Sequence, residues 1–305
     1  MTTVLSASGL TRRFGDRTVL DGVDLDVLPG RMTGFVGANG AGKTTTMRIL
    51  LGVLAPSAGE VRWDGRPVSA ADRRAFGYMP EERGLYPKQH VAEQLVHFGR
   101  LHGMSRPAAE RAVADLLERL DLVPHADDKL ESLSLGNQQR AQIAAALVHS
   151  PTALVLDEPF SGLDPLAVDA MAGLLRDEVA RGVPVLFSSH QLDLVERLCD
   201  DVVVLAQGRR VAGGTVEELR SGGTVRLRLQ VAAPSGAPSH GADLGWVRDV
   251  PGVEVADVDG AGALFVAVEP GAEQRVLAEA LRRGPVTSFA PVVPPLSEIF
   301  REVVR

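Results

Sequence analysis

Cysteine is nearly absent from this chain: Cys199 is the single one in 305 residues, so no disulfide can close within it. That usage fits a reducing compartment, and a cytoplasmic chain is expected. No apolar run approaches the roughly 20 residues that a membrane-crossing helix needs. Met1 to Gly9 has neither a basic start nor an apolar block, so no secretory signal is expected. Positive charge is not in excess either. Lys and Arg number 32 against 39 Asp and Glu, a formal net charge of −7. That balance argues against a wide nucleic-acid surface, and no nucleic-acid partner is expected. Lysine occurs only at Lys43, Lys88 and Lys129, and neither repeats nor coiled-coil heptads are present. What remains, 45% hydrophobic and 23% charged residues, is ordinary for a globular chain of one large domain or two.

Against that background one stretch stands out, Gly37-Ala38-Asn39-Gly40-Ala41-Gly42-Lys43-Thr44-Thr45. It satisfies G-x-x-x-x-G-K-[ST]. The apolar Met32 to Val36 before it reads as a buried strand, and Thr44 to Leu54 after it carries Met47, Leu50, Leu51 and Leu54 at helical spacing. Strand, glycine-rich turn and helix N-terminus form the context this motif requires. Backbone N–H groups in such a turn point at phosphate oxygens, and the helix dipole favours the negative charge. Lys43 adds a positive charge for the β- and γ-phosphates, and the Thr44 hydroxyl can ligate Mg²⁺. A triphosphate ligand is expected.

Two alternating segments within residues 4–28 read as antiparallel strands, with Phe14 in the turn between them. Gly59 to Gly65 and Arg74 to Met79 read as further strands. Val91 to about Leu122 is helical in two pieces, divided at Ser105, an N-cap followed by Pro107. Asn137 to His149, Leu166 to Ala180 and Gln191 to Cys199 read as helices. They alternate with apolar strands at Thr152 to Leu156, Val183 to Phe187 and Asp201 to Leu205. Buried strands alternating with helices give a doubly wound, mostly parallel sheet. Composition shifts after Gly222-Gly223. A strand from Val225 to Leu229, an Ala-, Pro-, Ser- and Gly-rich loop over 232–245 and a hairpin around Asp259-Gly260-Ala261-Gly262 follow. A helix (272–283), a strand (286–289) and a last helix (297–304) complete a small α+β unit. Its expected core includes Val253, Val255, Leu264, Val266, Leu277 and Leu281.

The strand Leu154 to Leu156 ends in two carboxylates, Asp157 and Glu158. In P-loop enzymes an Asp in that place holds Mg²⁺, and a carboxylate beside the γ-phosphate can polarise the attacking water. Upstream, Leu133-Ser134-Leu135-Gly136-Asn137 precedes a helix. Here the chain resembles the ABC ATPase family, whose signature is L-S-G-G-Q. Leu133, Ser134 and Gly136 match it, while Leu135 and Asn137 depart at variable positions. Ser161-Gly162-Leu163-Asp164 matches the family's D-loop, and His190 matches its switch histidine. Phe14 stands where the family has an aromatic that stacks on adenine; the other reading is a core phenylalanine.

The resemblance, over residues 4–220, implies an ATP hydrolase using ATP and Mg²⁺. Its fold would be α/β, a P-loop NTPase (ABC ATPase) with an antiparallel β-subdomain and a helical signature subdomain at about 88–150. Residues 1–222 would form this domain and 223–305 a small C-terminal accessory α+β domain. The active form implied is a head-to-tail homodimer with each ATP between one copy's phosphate loop and the other's signature. One departure is notable: where the family usually has Gln after the strand ending at Met79, this chain has Glu81. The resemblance places Glu81 beside the metal and attacking water and on the loop facing a membrane partner. The run from Gly77 to Pro87 and the ending Pro295 to Phe300 look like the sodium- and drug-export branch. That implies an exporter subunit lying on the cytoplasmic membrane face, bound to an integral permease on a separate chain. A soluble ABC ATPase acting on ribosomes or nucleic acid is the alternative. A P-loop small-molecule kinase is disfavoured by the signature, D-loop and His190 together. For residues 225–305, a packing or dimer-stabilising appendage and a regulatory module both stay open.

Overall fold

The computed structural model describes residues 4–82, 84–221, 226–232, 244–259, 262–292 and 295–303. Arg83, the Gly222-Gly223 linker with Val225, most of the Ala- and Pro-rich loop (233–243), the Gly260-Ala261 turn and Val304 lie outside the described residues. The chain divides into two compact units between Val216 and Glu217.

In the first unit, strands β1 (Leu5–Phe14) and β2 (Arg17–Val27) form an antiparallel hairpin. Apolar residues at Leu5, Ala7, Leu10, Leu20, Val23, Leu25 and Val27 are buried on one side, and the side chains between them are mostly exposed. Strand β3 (Met32–Val36), buried at all five positions, leads to helix α1 (Lys43–Leu50). Strands β4 (Ala58–Trp63) and β5 (Arg66–Pro67) extend the hairpin into a sheet of order β2-β1-β4-β5.

Helix α2 (Ala70–Arg74) replaces the beginning of the strand expected at Arg74. Its cause is a capping box: the Ser69 hydroxyl accepts from the Asp72 N–H, and the Asp72 carboxylate accepts from the Ser69 N–H. Strand β6 (Phe76–Met79) follows, then α3 (Val91–Leu101) and α4 (Arg106–Arg119), the latter capped by Ser105. Helix α5 (Leu135–Leu147) precedes strand β7 (Ala153–Leu156), α6 (Pro165–Ala180), β8 (Val185–Ser189), α7 (Leu192–Leu198) and β9 (Asp201–Ala206). Strand β10 (Arg209–Thr215) and helix α8 (Val216–Ser221) were not legible in the apolar pattern; β10 is largely exposed and pairs antiparallel with β9.

The central sheet runs β10-β9-β3-β8-β7-β6, parallel except at β10. Its parallel strands therefore present the segments after β3, β6, β7 and β8 at one edge, where open α/β sheets bind ligands. No helix among the described residues is long and apolar enough to cross a membrane.

The second unit has strands β11 (Arg226–Val231), β12 (Val253–Asp259), β13 (Gly262–Ala267) and β14 (Val286–Val292) in antiparallel order β12-β13-β11-β14. Helices α9 (Ala272–Arg283) and α10 (Leu296–Val303) accompany them. The expected core is partly corrected. Val253 and Val255 pack against it, but on β13 the fully buried residues are Ala263 and Phe265, not Leu264 and Val266. A one-residue change of phase exchanges the two faces of a strand. On α9, Val276 and Ala280 are buried, whereas Leu281 is 61% exposed.

A stacked histidine pair sits within the first unit. The rings of His102 and His149 stack with centroids 3.6 Å apart. Burial first, then the neighbouring His102, pushes His149 down to about 4 from the usual 6.5. Between those values the unfolded chain binds the proton and the folded one does not, so stability rises with pH across the window and is lost as pH falls. Melting temperature should therefore fall from pH 6.5 to 4, and less steeply in His149→Phe. An equal fall in both proteins would show that this histidine does not contribute.

Candidate active site

The loop after β3 is shaped by what its glycines allow. A Cβ added at Gly37 would lie 2.4 Å from the Leu205 carbonyl oxygen, so β9 approaches too closely for any side chain. Gly42, at φ 111°, opens α1 from a left-handed conformation that other residues rarely adopt. Helix α1 has no side-chain cap and no acidic residue in its first turn, which leaves its N–H groups and positive dipole end for an anion. Lys43 is buried, its Nζ donating to the Gly37 carbonyl at 2.7 Å and reaching the Ala38 carbonyl at 3.4 Å. Ala41 packs inward in the apolar core.

Across the sheet edge, β7 delivers Asp157 and Glu158. Asp157 is 1% exposed. Its Oδ1 accepts from the Ser188 hydroxyl at 2.5 Å, and its Oδ2 is buried with no hydrogen-bond partner. The same hydroxyl accepts from the Glu158 N–H at 2.8 Å. Glu158 has φ 51°, and its Oε2 lies 2.9 Å from His190 Nδ1 at the end of β8. The Gln139 amide donates to the carbonyls of Glu158 and Pro159, both at 3.0 Å. Burial, and then the charge of Asp157, push the nearby Tyr78 hydroxyl above its usual range.

These groups meet around a cavity of about 310 Å³ lined by Phe14, Arg17, Val19, Asn39, Gly40, Gly42, Lys43, Thr44, Thr45, Glu81, Asp157 and Glu158. Phe14 is 48% exposed, which removes the core reading, and the Arg12 guanidinium sits 4.4 Å from its ring centre. Sequence reasoning missed Arg17 and Val19, though both follow Phe14 on the β1–β2 hairpin. It also missed the hydroxyl bridge of Ser188 and the amide of Gln139, whose partners lie 30 and 19 residues away in sequence. His190 touches the cavity only through Glu158, and its side chain is 57% exposed.

The signature and D-loop residues do not line this cavity. Ser134 caps α5, its hydroxyl accepting from the Asn137 N–H at 3.3 Å, Leu133 is buried, and Leu135 is 67% exposed. Gly136 lies beside the D-loop: a Cβ there would meet Leu163 Cδ2 at 3.7 Å and the Gly162 carbonyl at 3.9 Å. Asp164 caps α6 by accepting from the Ala167 N–H, and the Ser161 N–H donates to the Glu158 carbonyl.

The donor set around the cavity is oxygen only, Thr44, Glu81, Asp157 and Glu158, which suits a hard divalent cation. The unpartnered, buried Asp157 Oδ2 fits such a ligand. No group of three His, Cys, Asp or Glu that could hold a metal occurs among the described residues. Mg²⁺ is characteristically held by one or two carboxylates with phosphate oxygens and water.

Comparison with known proteins agrees with this geometry. The ABC transporter family model matches residues 20–161, and that of the ATP-binding protein DrrA1-3-like, C-terminal domain, matches residues 214–304. The chain is 39% identical over 303 residues to Uncharacterized ABC transporter ATP-binding protein YhaQ of Bacillus subtilis, covering 99% of this chain and 98% of that one. It is 43% identical over 211 residues to Nod factor export ATP-binding protein I of Burkholderia lata, covering 68% and 69%. A solved ATP binding subunit of an ABC transporter superposes with a TM-score of 0.67 at 32% identity, covering 72% of this chain and 92% of that chain. The cbiO1 protein of Clostridium perfringens, part of the ABC transporter complex cbiONQ, gives 0.63 at 28% identity over the same shares.

Lys43→Ala removes the one ammonium in the cavity. A hydrogen bond to a charged group contributes about 1.5–3 kcal/mol, so affinity for a fluorescent ATP analogue should fall about 10- to 100-fold. Unchanged affinity would contradict the phosphate-binding role of this loop.

Proposed function

Since the chain belongs to the ABC transporter family of ATP-binding proteins, which hydrolyse ATP, we propose that it energises an exporter, working as a homodimer on a separate integral membrane permease. The observation that carries this reading is the convergence of Lys43, Thr44, Asp157 and Glu158 on one cavity. We assign the ATPase domain to residues 1–222 and the accessory domain to 223–305. The export direction draws on the Nod factor export relative. The protein would sit on the cytoplasmic face of the membrane.

In this reading the phosphate loop, Gly37 to Thr45, takes the β- and γ-phosphates, and Phe14 stacks on adenine. Thr44 and Asp157 would hold Mg²⁺, with Glu81 close by; the ion supplies charge neutralisation to the phosphate oxygens. The Glu158 carboxylate accepts a proton from the water that attacks the γ-phosphorus, and ADP leaves. His190, 2.9 Å from that carboxylate, orients it. The signature residues Leu133 to Asn137 would complete the site of the other copy, since in their own chain they do not line the cavity. The D-loops, Ser161 to Asp164, would face each other across the two-fold axis. Beside the Glu81 loop, a groove of about 400 Å³ lined by Phe76, Tyr78, Pro80, Leu85 and Phe98 suits an apolar helix of the permease. Glu81, exposed between cavity and groove, would couple the two.

Removing the general base tests the reading. A positioned acid–base group contributes about 10²–10⁴ in rate. Glu158→Gln should keep ATP binding, lose turnover to that extent and accumulate an ATP-bound dimer on gel filtration with Mg²⁺. Normal hydrolysis by the variant would overturn the assignment of Glu158.

A further inference from the structure

Two buried glutamines of α5 lie between the loop that carries Glu81 and the backbone of Glu158. The Gly84 N–H donates to Gln142 Oε1 at 3.0 Å. Gln142 Nε2 donates to Gln139 Oε1 at 3.4 Å. Gln139 Nε2 then donates to the carbonyls of Glu158 and Pro159. The direction of this chain is determined at its ends. A backbone N–H can only donate, so Gln142 must turn its oxygen to Gly84 and its NH₂ to Gln139. Two carbonyls can only accept, so Gln139 must turn its NH₂ to them and its oxygen to Gln142. Reversing Gln142 would set like groups against each other at two places, and reversing Gln139 at three.

The other buried residues of α5 are Gln138, whose amide donates to the Leu133 carbonyl at 2.9 Å, and the apolar Ala141, Ile143, Ala144, Ala146 and Leu147. Two amides inside such a surroundings are costly unless fully paired, and these are paired only with one another and with the two segments they join. Gly84 approaches closely as well: a Cβ there would lie 2.8 Å from Pro80 Cγ. The same Cβ would lie 3.6 Å from Gln142 Oε1, so the Gly84 backbone packs directly on the amide that accepts from it. At the far end, Glu158 holds a left-handed backbone conformation, and the peptide groups on either side of its Cα are held by Ser188 on the N–H and Gln139 on the carbonyl, which together place the Cα from which its carboxylate projects.

We propose that Gln142 and Gln139 form a positioning relay that carries the placement of the Gly84 segment to the Glu158 backbone, setting the orientation of its carboxylate. Neither amide touches the reacting atoms. The groove beside the relay is lined by Gly84, Leu85 and Gln142, so a helix seated there presses on its first member. This rests on the assignment of Glu158 as the general base, and it locates the regulation of that same site.

The test compares steady-state ATP hydrolysis by the full chain carrying Gln142→Met, Gln139→Met, both, and Glu158→Gln, with melting temperatures to verify folding. Methionine keeps the volume and removes the amide. Misplacement far from the chemistry can cost up to about 10²-fold, so Gln142→Met should lower kcat about 10- to 100-fold with KM for ATP unchanged. The double variant should be no slower than the slower single, because both interrupt one path. Gln142→Glu keeps the acceptor for Gly84 and can donate to Gln139 only while protonated, so its kcat relative to wild type should rise as pH falls. Wild-type kcat in Gln142→Met, effects that multiply in the double variant, or a pH-independent ratio for Gln142→Glu would each overturn the relay. Normal hydrolysis by Glu158→Gln would instead overturn the assignment on which it rests.

Discussion

The site depends on one backbone conformation, the left-handed turn at Glu158. A residue with a Cβ pays about 1–2 kcal/mol to adopt it. The reward is that successive carboxylates leave β7 in usefully different surroundings. Asp157 is buried against Ser188, and Glu158 reaches His190 at the sheet edge. Four hydrogen bonds hold the turn: Ser188 on the Glu158 N–H, the Gln139 amide on the carbonyls of Glu158 and Pro159, and the Ser161 N–H on the Glu158 carbonyl. At about 1 kcal/mol each they offset the conformational cost. The same Ser188 hydroxyl seats Asp157, so a single side chain of β8 sets both carboxylates relative to one another. Without it, the phosphate loop would face two acids with no fixed relation.

Much of this architecture could be read from residue types and spacing, because the phosphate loop is local chemistry. Gly37, Gly42, Lys43 and Thr44 carry their function within eight positions of one turn, and the strand and helix beside them follow from apolar periodicity. The end of β7 was equally legible, an apolar run stopped by Asp157 and Glu158. Helix α9 fell at residues 272–283 as read, bounded by Gly271 and Gly284. Ser188, Gln139, Gln142 and Arg17 were not legible in their roles. Each acts on a partner that only the parallel sheet or α5 brings near, and no local pattern encodes that adjacency. The start of β6 was misread although Ser69 and Asp72 stand at capping-box spacing, a signal that outweighs the propensity of the short segment between them. The phase of β13 was misread because Leu264 and Val266 are as apolar as Ala263 and Phe265; packing against α9 and the segment of Leu244 and Val247 separates the two faces.

Charge is used locally rather than globally. The chain is acidic overall, and the cavity itself carries Glu81, Asp157 and Glu158 against Arg17 and Lys43. Backbone N–H groups, the α1 dipole and a bound divalent cation would together favour a polyphosphate in such a setting, without a basic surface. Glu81 adds to this balance where the family more usually has a neutral amide. It is exposed and lines the cavity.

In the proposed working form, two copies close head to tail on ATP, each supplying its signature to the other's phosphate loop. Asn39 and Leu135 are both exposed, and Leu135 stands at a variable signature position. Burial raises the pKa of the native Cys199 thiol, which leaves introduced thiols as the reactive ones. Asn39→Cys in one copy and Leu135→Cys in the other, both in the Glu158→Gln background, should form an intermolecular disulfide when ATP and Mg²⁺ are present and not in their absence. No cross-link with ATP, or the same cross-link without it, would contradict the account.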